Sequence, residues 1–289
     1  MSPVLANESP AVSVEAPAAE APAATRGVWQ GTPPPTNDVP VRRPGVFSVL
    51  RVSVASFVTY GLMVATLVAA KLYFVDHPTS FPLEGQASAF EWRVLLTIAS
   101  CGLFGLLLAP YARFPDMWER AVQHRKRLLV PLAWGIVYGV VTVVRDLPNP
   151  SEIHLHYPAS IPFYAYGAIF LELLLRLFGV TLITWLIGEV FLMGHLRGAA
   201  FWVANVVTSV YEPLPHVAED LMRVEQPVQV PATLVNWAFQ PLFLSNLLTG
   251  YLYRRFGFLT AVLFRMSFYA VWHVGYGNFW QYQTLLPWG

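Results

Sequence analysis

From residue 47 onward, long apolar runs alternate with short polar breaks. A helix crossing the hydrocarbon layer needs about 20 mostly apolar residues. The stretches "FSVLRVSVASFVTYGLMVATLVAAKLYF" at 47–74, "WRVLLTIASCGLFGLLLAPY" at 92–111 and "RLLVPLAWGIVYGVVTVV" at 127–144 approach or exceed that length. The run from Ile161 to Leu196 is too long for one ordinary span; it predicts a span ending near Arg176 and a second helix after Gly179. "AAFWVANVVTSVY" at 199–211 is short and predicts a buried helix inside a bundle. "ATLVNWAFQPLFLSNLLTGYLY" at 232–253 and "FGFLTAVLFRMSFYAVWHVGYG" at 256–277 complete the set. The pattern predicts an all-α, polytopic membrane bundle of six to eight transmembrane helices over residues 46–289.

Residues 1–45 break the pattern. They are rich in Ala, Pro, Ser and Glu and carry no apolar periodicity, so they read as a disordered, solvated N-terminal tail. No basic stretch leads into an apolar one there, so the tail does not read as a signal peptide.

Composition strengthens the membrane reading. The chain is 55% hydrophobic and 12% charged, about half the charge of a soluble domain. A net charge of +1 offers no electrostatic case for nucleic acid as a partner. The single cysteine, Cys101, excludes an intrachain disulfide and a cysteine-based zinc site. Arg42 and Arg43 precede the first span, and Arg113, Arg120, Arg125, Lys126 and Arg127 follow the second. Basic segments stay on the cytoplasmic side. The expectation is a multi-pass protein of the cell (inner) membrane with its N-terminus cytoplasmic. The bilayer is its first partner and another membrane protein a second.

Charge at membrane depth costs about 2.5–3.5 kcal/mol per residue on insertion scales, so each such residue is a candidate for function. Glu172 and Arg176 are four apart in "AIFLELLLRLFG" and share a helix face in the favourable order. Glu212 and His216 have the same spacing, but Pro213 and Pro215 predict no regular helix beyond its first turn. Arg265 lies mid-helix and needs a carboxylate, with Glu172 or Glu212 the best placed; His273, eight residues on, falls on roughly the same side. Glu189 and His195 read as residues near a helix end. Each of these residues also has a purely structural reading, as an ion pair or packed ring.

Taken together, these stretches resemble the CPBP family of intramembrane metal-dependent endopeptidases, which includes the CAAX prenyl proteases and the bacteriocin-processing or self-immunity (Abi-like) proteins. Its marks are EExxxR, then FxxxH, then HxxxN or HxxxD. "LELLLR" at 171–176 resembles the first, "WVANVVTSVYEPLPH" at 202–216 the second and "FLSNLLTGYLYRRFGFLTAVLFRMSFY" at 243–269 the third, so the likeness covers about residues 160–277. It implies glutamates and histidines around an intramembrane cavity, activating water on a peptide bond. Glu172, Arg176 and His216 match residues that carry that chemistry. Leu171 stands where the first glutamate belongs, Glu212 at the phenylalanine, Arg265 at the third motif's histidine and Tyr269 at its Asn/Asp. A second register places the first motif on "GEVFLMG" at 188–194, with Glu189 but no arginine.

A catalytic zinc takes three protein ligands and keeps one position open. An arginine at a ligand position about 4 Å from Zn²⁺ repels it by roughly 8 kcal/mol at an effective dielectric of about 20. The expectation is a pseudo-enzyme without a cofactor, its former site held by an ion-pair core of Glu172, Arg176, Glu212 and Arg265 and used for binding or assembly. Two other readings stay open. One is an active endopeptidase with Glu212, His216 and His273 on zinc and Glu172 activating water. The other is a subunit that binds haem or a pigment through His195, His216 or His273.

Overall fold

The structure is a computed structural model. It describes residues 52–77, 86–148, 153–222, 229–231, 233–234 and 241–281. The proposed tail at 1–45 lies outside the described residues.

The described residues are helical and include no strand; besides a short 3-10 helix, Gln86–Phe90, they form eight principal helices. They are α1 (Val54–Asp76), α2 (Trp92–Leu108), α3 (His124–Asp146) and α4 (Ser160–Phe191), then α5 (Arg197–Tyr211), α6 (Leu214–Met222), α7 (Pro241–Phe256) and α8 (Phe258–Tyr269, continued as π-helix over Ala270–Gln281). Four are long and apolar enough to cross a membrane: α1, α3, α4 and α8, with mean hydropathies of 1.7, 1.8, 1.9 and 1.2. Helix α2, at 17 residues, is apolar but shorter. These helices mark a membrane protein.

Three expectations need correcting. The 161–196 run does not split after Arg176. It is one 32-residue helix, α4, in which Glu172–Val180 and Trp185–Phe191 widen into π-helix. Gly179 did not end it because π-turns absorb an irregular stretch without breaking the hydrogen-bond ladder. The 199–211 helix is not buried all round: Ala200, Phe201, Ala204, Asn205, Thr208 and Ser209 face inward, while Trp202, Val203 and Val207 are exposed. Pro215 does not abolish helix either. It sits in the first turn of α6, where its missing N–H would have had no intrahelical acceptor.

Depth in the bundle separates the long helices. Only 22% of the α1 window and 28% of the α3 window are buried, against 50% for α4 and 56% for α8. Helices α4 and α8 are therefore central, and α1 and α3 present apolar side chains such as Leu62, Val75, Val137 and Val144 to the surroundings. Outward apolar faces of this extent belong against lipid tails.

Small residues set the closest approaches. On α3, a Cβ at Gly135 would strike Ser267 Oγ and the Phe264 carbonyl of α8, and one at Gly139 would lie 2.7 Å from Val271 Cβ. On α2, a Cβ at Gly105 would strike the Leu177 carbonyl of α4. Backbones in van der Waals contact replace the hydrophobic driving force that lipid does not supply. Helices α7 and α8 join at Gly257, whose φ of +96° favours glycine and whose place 2.8 Å (Cβ position) from the Asp116 carbonyl admits no side chain.

Candidate functional site

The polar centre of the bundle forms where α4, α5, α7 and α8 meet. Glu172 and Arg176 are fully buried at the start of the first π-helical stretch of α4. Pro213 has no N–H to continue α5, so that helix ends at Tyr211 with Glu212 as its C-cap. There the Glu212 side chain can turn toward α8.

Arg265 of α8 occupies the middle and is 1% exposed. Its Nε donates to Glu172 Oε1 at 2.5 Å, and its Nη1 donates to Glu212 Oε2 at 3.2 Å and to the Tyr269 hydroxyl at 3.3 Å. Its Nη2 donates to Asn246 Oδ1. Asn246 of α7 closes the ring by donating from Nδ2 to Glu212 Oε2 at 3.0 Å.

Arg176 is the second cation. It lies 4.0 Å from Glu172 Oε2, but its hydrogen bonds go elsewhere. Nε donates to Thr249 Oγ1 at 2.8 Å, Nη1 to Thr208 Oγ1 at 3.1 Å and Nη2 to the Asn246 carbonyl at 2.6 Å. Two buried guanidiniums thus face two carboxylates, and hydroxyl, amide and carbonyl oxygens accept from them as well. Glu172 Oε2 is the exception: buried and without a hydrogen bond, it has only the Arg176 charge at 4.0 Å. A buried charge is tolerated where its partners and its other hydrogen bonds compensate the lost water, as they do for both guanidiniums. Glu212 is the one member that reaches outward, its side chain 17% exposed.

The cluster brings together Glu172, Arg176, Glu212, Arg265 and Tyr269, while Leu171 sits beside them as an apolar helix residue. It does not include His273. That ring stacks on Tyr164 at 4.0 Å, and its Nδ1 lies 3.0 Å from His154 Nδ1. The His216 side chain lies outside the described residues. His195 is exposed in the α4–α5 turn, hydrogen-bonded to the Leu192 carbonyl. Glu189 sits at the far end of α4, paired with Arg197 at 2.6 Å and Arg113 at 3.5 Å, so the second register of the first motif leads away from the cluster.

Asn246, Thr249 and Thr208 were missed from the sequence. Each is a neutral polar residue in an apolar run, and nothing local distinguishes a hydroxyl that holds a guanidinium from one that bonds its own helix. One signal was available: "LSNLLTG" places Asn246 and Thr249 three apart, on one face of α7.

Among the described residues, the donor set does not fit a zinc ion. The space between the two carboxylates holds the Arg265 guanidinium, a fixed charge with donors only. Among the described residues, no group of three or more His, Cys, Asp or Glu side chains is disposed to hold a metal. No family model, curated protein or solved structure matches this chain.

Proposed function

We propose that this chain is a multi-pass membrane protein, N-terminus cytoplasmic, that uses a scaffold like that of the CPBP endopeptidases without their hydrolytic chemistry. An ion-pair core has taken the place of the metal, and the bundle serves binding or assembly within the membrane. The observation that carries this reading is Arg265, seated between Glu172 and Glu212 with Asn246 and Tyr269 on its remaining donors.

A second feature supports it. Phe201 and Asn205 on α5 repeat the spacing of FxxxH, and both are buried on the same helix as Thr208, which holds Arg176. Asn205 donates to the Leu247 carbonyl at 3.0 Å. This register differs from the one that ends on His216, and in it an asparagine stands at the histidine position. Leu171, Asn205, Arg265 and Tyr269 would then fill motif positions with groups that cannot form a zinc–water centre.

The test is metal content and peptide hydrolysis on the purified full chain, measured with and without added zinc. Substoichiometric zinc and no cleavage of prenylated or unmodified peptides are expected. One zinc per chain, with hydrolysis that a chelator abolishes, rejects the reading in favour of a remodelled peptidase. A visible absorption band in the purified protein would instead favour the haem or pigment reading.

A further inference from the structure

The two ends of the bundle differ in charge. The α2–α3 loop and the first turn of α3 carry Arg113, Arg120, Arg125, Lys126 and Arg127. Arg197 opens α5 beside them, tied to Arg113 through Glu189. Arg254 and Arg255 close α7, whose exit at Gly257 abuts the Asp116 carbonyl in the same loop. The carboxylates described at this end are Asp116, Glu119 and Glu189, which leaves a surplus of five positive charges. Among the described side chains at the opposite end, Lys71, Arg93 and Arg145 balance Asp76, Glu91 and Asp146.

Four of the cations, Arg120, Arg125, Lys126 and Arg255, are exposed and make no ion pair among the described residues. Apolar side chains stand next to this charge instead of more polar surface. The α4–α5 turn exposes Phe191 (68%), Met193 (81%) and Leu196 (71%) beside Arg197, and Leu129 (61%) lies one turn after Arg125. Met193 and Leu196 both have positive φ, 48° and 51°, so the turn holds them outward at a cost in backbone strain.

We infer that this basic end binds the phosphate head groups of anionic phospholipids. Guanidinium and ammonium groups meet the phosphates while the adjoining apolar side chains enter the acyl boundary. An acidic soluble protein would satisfy the cations but leave Phe191, Met193 and Leu196 uncovered. A phospholipid supplies both chemistries in the right order, charge at the rim and hydrocarbon below it. The inference does not depend on the state of the ion-pair core.

The test uses the purified full chain in zwitterionic detergent, with lipid retention read by native mass spectrometry and thermal unfolding measured in parallel. Phosphatidylglycerol should bind and raise the midpoint, and phosphatidylcholine or free inorganic phosphate should not. Each cation near an anionic surface contributes about a fivefold gain in affinity. The variant R120Q/R125Q/K126Q/R255Q should therefore lose phosphatidylglycerol by more than about a hundredfold. R93Q, which removes a cation from the opposite end, should bind as the parent does. Equal retention of both lipids by the parent, or an unchanged preference in the quadruple variant, overturns the proposal. Should that variant not fold, the parent decides alone: a phosphatidylglycerol preference unmoved between 50 mM and about 500 mM salt refutes an electrostatic headgroup site.

Discussion

Replacing Arg265 by methionine removes the charge that Glu172 and Glu212 share while keeping most of the side-chain volume. Three carboxylate–guanidinium separations allow the effect to be ranked: 2.5 Å for Glu172–Arg265, 3.2 Å for Glu212–Arg265 and 4.0 Å for Glu172–Arg176. At an effective dielectric of about 20, the Coulomb attractions are about 7, 5 and 4 kcal/mol. Desolvation offsets much of each, and removing one partner of a buried pair costs about 3–5 kcal/mol because the other charge is left uncompensated. Arg265→Met should therefore destabilise by about 3–5 kcal/mol. Adding Glu172→Gln should recover part of that loss. A double-mutant cycle on Glu172 and Arg265 should give a coupling of about 2–3 kcal/mol, larger than the Glu212–Arg265 cycle, in which Glu212 is partly exposed. The assay is equilibrium unfolding in mixed micelles, with the fraction folded followed by tryptophan fluorescence. Additivity within about 0.5 kcal/mol for both cycles would refute the ion-pair core.

Further outcomes follow from other contacts. Asn246→Leu, which removes the group bridging Arg265 and Glu212, should cost about 1–3 kcal/mol in the same unfolding assay. Gly135→Val should cost more than about 2 kcal/mol, because a Cβ there strikes Ser267 and Phe264, whereas Gly61→Ala, with nothing within 4 Å, should be neutral or stabilising. Asp116 gives a pH dependence. Burial pushes its carboxyl up, but hydrogen bonds from the Ser53, Ser56 and Trp118 groups outweigh that and hold it below the usual carboxylate range. A depressed folded-state value means the tie between the α1 N-terminus and the α2–α3 loop is fully present above about pH 4 and weakens as pH falls through the folded value. Thermal midpoints measured from pH 6 to 3 should fall less steeply for Asp116→Asn than for the parent.

Some of this protein was legible in the chain alone. Apolar length predicted the helices α1, α3 and α8 and the membrane class, because crossing hydrocarbon imposes a minimum run of apolar residues whatever the partners. The cost of charge at membrane depth singled out Glu172, Arg176, Glu212 and Arg265 as residues that need partners. What the chain could not reveal was which partner each would take. Glu172 is four residues from Arg176, yet its closer cation is Arg265, 93 residues away, because α4 and α8 cross at that level. Arg176 instead turns to α5 and α7, and His273 to His154. Gly179 looked like a helix end and became part of a 32-residue helix, since π-turns and packing against Thr208 carried it through. Local pattern fixes which segments are helical and which charges need satisfying, because those terms act along the chain. Pairing is decided only when helices approach to within a few ångströms, where small residues such as Gly105 and Gly135 permit contact and donor directions select the acceptor.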